Sequence, residues 1–169
     1  MLQWYYITTM FIFSQMFIRL VIALGLGALL GLERELVGKE AGTRTEMLVC
    51  AGAAMFSMIA LSLPYIISAE TGNLTEVIAG NGGFLQIIAN IVVGIGFLGA
   101  GLIIKTDERA RGITTAASVW TTAAIGVMVG IGMIEFAVVA AFLIVALLYL
   151  LRKMDIADRI EKISQKDVR

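Results

Sequence analysis

Residues 13–46 read FSQMFIRLVIALGLGALLGLERELVGKEAGTRTE. The first twenty of these, 13–32, carry a single charge, Arg19, while the next fourteen carry seven. A bilayer core needs about 20 mostly apolar residues in helix, so 13–32 reads as a membrane span and 33–46 as the loop that leaves it. The residues before it are apolar and aromatic, and Trp4-Tyr5-Tyr6 is the kind of cluster that sits at a membrane interface. No basic n-region precedes the apolar stretch, and the stretch outruns the usual h-region. We therefore expect the segment to be retained rather than cleaved.

The rest of the chain repeats this alternation. Apolar stretches follow at about 47–67, 84–104, 113–132 and 135–151. Pro64 stands near the end of the second, where a helix tolerates termination. The fourth is small and Thr-rich and gives the weakest span signal of the five. Composition agrees with a lipid-facing protein. Of 169 residues, 59% are hydrophobic and 15% charged, against about 25% charged in soluble domains. Mean hydropathy is +0.92. A lipid solvent removes the need to hide so much apolar surface.

Charge sets the expected orientation. Lys and Arg fall at Arg34, Lys39 and Arg44, at Lys105, Arg109 and Arg111, and at six positions from Arg152 onward. The N-terminus, residues 68–83 and the turn near Gly132 have none. Five spans with the N-terminus out and the C-terminus in place all twelve of these on one side, as the positive-inside rule asks. The predicted fold is all-α, a bundle of about five transmembrane helices with an N-out, C-in topology and a small-residue-packed core.

Helices in lipid associate through close approach of small residues and through polar contacts. Ala23, Gly27 and Gly31 recur four apart, as do Thr114, Ser118, Thr122, Gly126 and Gly130. Gly94, Gly96, Gly99, Ala100 and Gly101 crowd the third span. Spans one, three and four are therefore expected to form the tight centre, with span five peripheral or at a subunit contact. Residues 94–99 also match GxGxxG. A dinucleotide site needs a preceding strand and a phosphate-accessible turn, and a motif inside an apolar span has neither.

Several function classes fall away. Zero net charge gives no support to nucleic-acid binding. The absence of His removes the commonest general base, and no nucleophile–base pair stands out, so an enzyme is not expected. The single Cys50 excludes an internal disulfide.

The polar residues that remain are few. Glu33, Arg34, Glu35, Arg44, Thr45 and Glu46 crowd the first charged loop. Mixed signs this close read as ion pairs at a membrane surface. Glu46 near a helix N-terminus also suits the helix dipole. Glu33 and Glu46 are candidate hard-oxygen ligands for a divalent cation such as magnesium, and no other cofactor is indicated. In the second loop Arg111 precedes Thr114 and Thr115, which cap or begin span four. Ser118, Thr121 and Thr122 follow, as back-bonded packing groups or as the lining of a polar path. Arg19 lies within span one. An ionisable group there marks a functional site by default, or its stem snorkels to the headgroups. Its candidate partners are Glu70, Glu76, Glu135, Gln86 and Asn90. From Arg152 the chain is basic, with Ile156, Ile160 and Ile163 at i, i+4, i+7, the pattern of an amphipathic helix.

Four blocks in order, RLVIALGLGALLGLERE, AGTRTEMLVCAGAAMF, GIGFLGAGLII and RGITTAASVWTTAAIG, resemble the MgtC/SapB family of bacterial membrane proteins. The resemblance covers roughly residues 19–130. It implies a self-associating, multi-pass protein of the bacterial cytoplasmic (inner) membrane. The implied role is in magnesium or envelope homeostasis and low-magnesium adaptation, by regulation of other membrane proteins or by transport. It carries family residues onto Glu33, Arg34, Glu35, Arg44, Thr45, Gly96, Gly99, Gly101, Arg111, Gly112, Thr115 and Trp120. Family members differ at three positions: virulence-type members tend to have Asn at Thr114 and Cys at Thr121, and many members have a polar residue, often Asn or His, at Glu46. Many carry a soluble C-terminal domain. The expected organisation is a transmembrane domain over 1–151 and a short basic amphipathic cytoplasmic tail over 152–169. The expected partners are the lipid bilayer, a second copy in a homodimer or other homo-oligomer, and other membrane proteins, with no nucleic acid.

Overall fold

The computed structural model describes residues 13–71, 75–76, 83–105 and 110–167. The Trp4–Tyr6 cluster lies outside them, as do the side chains of Ile156, Ile160 and Ile163. Among the described residues five long helices run in chain order: α1 Phe13–Leu36, α2 Thr43–Thr71, α3 Gly83–Leu102, α4 Ile113–Ile131 and α5 Ile134–Asp167. All five are long and apolar enough to cross a membrane. The protein is an all-α, multi-pass membrane protein. Every helix also turns large apolar side chains outward, Phe17, Phe56, Phe97, Trp120 and Phe142 among them, which water would penalise and lipid does not.

The apolar lengths set most boundaries, and local chemistry sets the rest. α1 runs one turn past the apolar stretch, so Glu33, Arg34 and Glu35 are helical. It ends at Gly38, whose φ of 68° is left-handed, with Gly38 N donating to the Glu35 carbonyl at 3.0 Å. This is the helix stop that glycine supplies without steric cost. α2 does not stop near Pro64 but continues to Thr71. Proline costs a helix one N–H bond and a clash with the preceding turn. Membrane helices absorb that cost, because an ended helix in lipid would strand more backbone groups.

A two-residue antiparallel ladder, β1 Ile104–Lys105 with β2 Ala110–Arg111, joins α3 to α4. Sequence reading left this segment as plain loop. The start of α4 is capped by Gly112 at φ 84°, with no side-chain cap bond. Thr114 and Thr115 follow it inside the helix rather than capping it. A Cβ on Gly112 would run into the Leu102 carbonyl.

The core lies between α1, α2 and α4. Gly27 of α1 faces the Glu46 carbonyl, where an added Cβ would stand 2.6 Å away, and Gly31 faces Thr43. Higher residues of α1 thus meet lower ones of α2, and the two helices run antiparallel. Gly126 meets the Cys50 carbonyl and Gly130 that of Ala54, so α2 and α4 run parallel. Ala23, Leu26, Leu30, Cys50, Ala54, Ile125 and Val129 fill the space between. Ala137 and Ala141 near the start of α5 close it on one side.

The expectation for span three is corrected. Half of α4 is buried but only 6% of the α3 span. Gly94, Gly96 and Gly101 have nothing within 4 Å of an added Cβ, and Gly99 makes only an ordinary 3.5 Å contact with Ala116. α3 turns Ile87, Ile88, Ile91 and Ile95 towards its neighbours and most of its glycines away. The helix that completes the centre is α2, whose Ala51, Ala53, Ala54 and Ala60 are buried.

Candidate functional site: a buried polar layer at the charged end

The loop between α1 and α2 brings polar groups of three helices to one level. Glu35, in the last turn of α1, accepts a bond from Thr43 N at 3.0 Å on Oε2. This pairs an N–H that the start of α2 would otherwise leave open, and it sets a negative charge against the positive helix end. One turn along, Glu46 N donates to the Gly42 carbonyl at 3.1 Å. The Glu46 side chain then enters the notch that Gly31 leaves in α1. It is completely buried.

Inside, Glu46 Oε1 accepts from Ser118 Oγ of α4 at 2.8 Å. The Thr122 hydroxyl lies beside the same carboxylate, one turn further on and fully buried. Its geometry closes no hydrogen bond. Thr115, also buried, donates from Oγ1 to Glu40 Oε2 at 3.1 Å and so ties the loop to α4. Glu40 is solvent-exposed and is held below the usual carboxylate range, first by its own backbone amide and then by the Thr115 hydroxyl. Thr115, Ser118 and Thr122 recur at i, i+3, i+7, which is one helix face.

Arg34 lies next to this layer. Its Nη1 stands 3.7 Å from Glu33 Oε2, and the two side chains are 4% and 9% exposed. The separation makes an ion pair but no hydrogen bond. Among the described residues the buried side-chain atoms left without a hydrogen-bond partner are Glu33 Oε2, Arg34 Nε and Nη2, Thr43 Oγ1, Glu46 Oε2 and Thr122 Oγ1. Buried polar atoms are normally paired. All six belong to this end of the bundle.

Other residues singled out by sequence lie elsewhere. Arg44, Arg111 and Thr114 are exposed, and Thr45 is half-buried. Thr121 back-bonds to the Ala117 carbonyl at 2.7 Å. Asn90 is exposed at the edge of the groove between α2 and α3, where its Oδ1 accepts from Gln86 Nε2 at 3.4 Å. Glu33 pairs with Arg34 and Glu46 with Ser118. Among the described residues no three His, Cys, Asp or Glu side chains gather as metal ligands.

Sequence reasoning missed Thr43 as a member of the layer. It also missed the partner of Arg19. That side chain is 9% exposed, and Nη1 donates to the Gly130 carbonyl at 2.8 Å. It therefore serves the open carbonyls at the C-terminus of α4, where a cation is favoured. The signal was present in Gly130 and Gly132, which mark a helix end with room beside it. Gly132 has φ 98°, and a Cβ there would stand 2.9 Å from Arg19 Nη2.

Apart from Glu40, the polar layer is built by three of the four blocks that carried the resemblance, 19–35, 41–56 and 111–126. A model of the MgtC family matches residues 20–156. The chain belongs to the MgtC family. Among its relatives, Protein MgtC of Brucella abortus is 40% identical over 129 residues, which is 76% of this chain and 48% of that protein. Protein MgtC of Salmonella typhimurium is 39% identical over 146 residues, 86% of this chain and 55% of the relative. The Putative magnesium transporter YhiD of Escherichia coli is 35% identical over 126 residues, 74% and 55%. This MgtC family member thus spans about half the length of the curated relatives it matches. No solved structure matches it.

Proposed function

We propose that this protein is a non-enzymatic regulator in magnesium or envelope homeostasis, resident in the bacterial cytoplasmic membrane with its N-terminus out. On this reading it acts on other membrane proteins and carries no solute. The observation behind it is the closed middle of the bundle. Between Glu46 at one end and Arg19 at the other, Leu26, Leu30, Cys50, Ala54, Ile125 and Val129 pack into a continuous apolar plug. Ser57, beside Gly130 at the Arg19 end of the plug, spends its hydroxyl on the Ala53 carbonyl. An ion crossing here would lose its hydration without replacement, at a cost of several kcal/mol or more. The link to magnesium rests on the family and on the name of one relative. The orientation rests on the one-sided distribution of Lys and Arg.

A second reading is favoured by the six buried polar atoms near Arg34 and Glu46 that make no hydrogen bond. Such groups would serve a transporter or channel for magnesium, another cation or a small solute, if the plug opened. Proteoliposomes loaded with a magnesium-sensitive dye separate the two. The regulator reading expects no flux above that of empty vesicles. Flux that disappears in Glu33→Gln or Arg44→Ala overturns it.

A further inference from the structure

We propose that the buried polar layer binds one monovalent metal cation, with Glu46 Oε2, Thr122 Oγ1 and Thr43 Oγ1 as its protein ligands. All three oxygens are buried and make no hydrogen bond. Glu46 and Thr122 are completely buried as whole residues. The packing of three helices brings the oxygens to one place. Gly31 of α1 has both Thr43 and Glu46 pressed against it, and these two share a face of α2 at i and i+3. Thr122 of α4 lies beside the Glu46 carboxylate, whose other oxygen Ser118 holds at 2.8 Å. The notch is thus lined by one carboxylate and two hydroxyls. Hard cations take oxygen ligands, and membrane proteins hold sodium or potassium with neutral oxygens as well as carboxylates.

Charge selects the ion. Buried charges are paired or bound to metals. Arg34 stands 3.7 Å from Glu33, and Glu46 makes no ion pair among the described residues. Glu35 already serves the positive end of α2, which leaves Glu46 without a counter-charge of its own. Glu33, Arg34 and Glu46 together leave one negative charge unmatched. A singly charged cation brings the layer to neutrality, whereas a divalent one leaves a buried excess. Thr115 and the exposed Glu40 continue the layer to the surface, which gives an ion a polar way in. Water that the ion keeps can bond the open Nε and Nη2 of Arg34. The site does not require the apolar plug to open, so this inference and the reading on flux fail separately.

The test follows thermal unfolding of the full chain in detergent at fixed pH and ionic strength, in sodium, potassium, magnesium or N-methylglucamine chloride. Sodium or potassium should raise the midpoint by about 3–6 °C over N-methylglucamine at roughly ten times its dissociation constant. The stronger of the two names the ion. Thr122→Val keeps the shape and removes a hydroxyl that makes no hydrogen bond. It should weaken the apparent affinity roughly tenfold or more and leave the cation-free midpoint where it was. Glu46→Gln should abolish the response and raise the cation-free midpoint, because it removes an unmatched buried charge. Thr121→Val, whose hydroxyl back-bonds to Ala117, should respond as the parent does. Equal midpoints in all four salts overturn the proposal, since water or a proton then meets the open oxygens. So does a rise confined to magnesium, or one that survives Glu46→Gln and Thr122→Val.

Discussion

Two helices of this bundle are rich in small residues and use them in opposite ways. α4 presses its small face against α2, with Gly126 and Gly130 on the carbonyls of Cys50 and Ala54. α3 holds Gly94, Gly96 and Gly101 away from its neighbours and packs through isoleucines instead. The difference lies in spacing. Residues 118, 122, 126 and 130 are four apart and advance 400° each, so they stay close to one stripe. Residues 94, 96, 99 and 101 are two and three apart and scatter around the axis. A count of glycines measures opportunity for close packing, and their period decides where the packing goes.

The sharpest way to break this comparison is to add a methyl group to each helix. Gly126→Ala places a Cβ on a backbone carbonyl that cannot rotate away. We expect it to destabilise the protein by about 3 kcal/mol, the upper end for overpacked cores, seen as a lower midpoint in detergent unfolding. Gly96→Ala meets open space and gains helix propensity, so its midpoint should stay or rise by up to about 1 kcal/mol. Equal losses at both sites would erase the distinction.

The next test concerns what holds the far end of α4. Arg19→Met keeps the apolar stem and removes the guanidinium bond to the Gly130 carbonyl. The expected cost is about 2 kcal/mol, as for hydrogen bonds with a charged partner, read from the same unfolding curves. An unchanged midpoint would mean that Arg19 only snorkels, and that the glycine contacts alone hold α4 in place.

The smallest effect is expected at the opposite end of α4. Glu40 is held below the usual carboxylate range, so its contribution is present above the unfolded carboxylate pKa and is lost as pH falls through the lower folded value. Thr115→Val removes one of the groups holding it. The acid limb of stability against pH should therefore become shallower in Thr115→Val. A superimposable limb would show that the Thr115 bond does not contribute.

Much of the fold was legible because hydrophobic length and basic residues are local signals. Residues 13–32 could be placed without knowing any neighbour, and even the weakest span, 113–132, was required to keep the charges alternating. The site was legible only in part. Glu33, Arg34, Glu35 and Glu46 stood out as charges at a span boundary, and all four have a place in or beside the buried layer. Their partners did not stand out. Ser118 lies 72 positions from Glu46 and Gly130 lies 111 from Arg19. Such pairs depend on how two helices are rotated, which one stretch of sequence does not encode. The hydroxyls show the same limit. Thr121 back-bonds as a membrane threonine often does, while Ser118 reaches across to α2. Only the neighbouring helix distinguishes them.

α5 runs unbroken for 34 residues, about 51 Å at the α-helical rise, against a hydrocarbon core of about 30 Å. The core grips it near its foot, at Ala137 and Ala141. It is built as a mast: the bundle steps its base, and about 20 Å of its length exceeds what such a core spans. A small tilt at the base becomes a wide sweep at the far end. A shift in the packing of α1 or α4 against those two alanines would thus be delivered, magnified, to the far end of the helix.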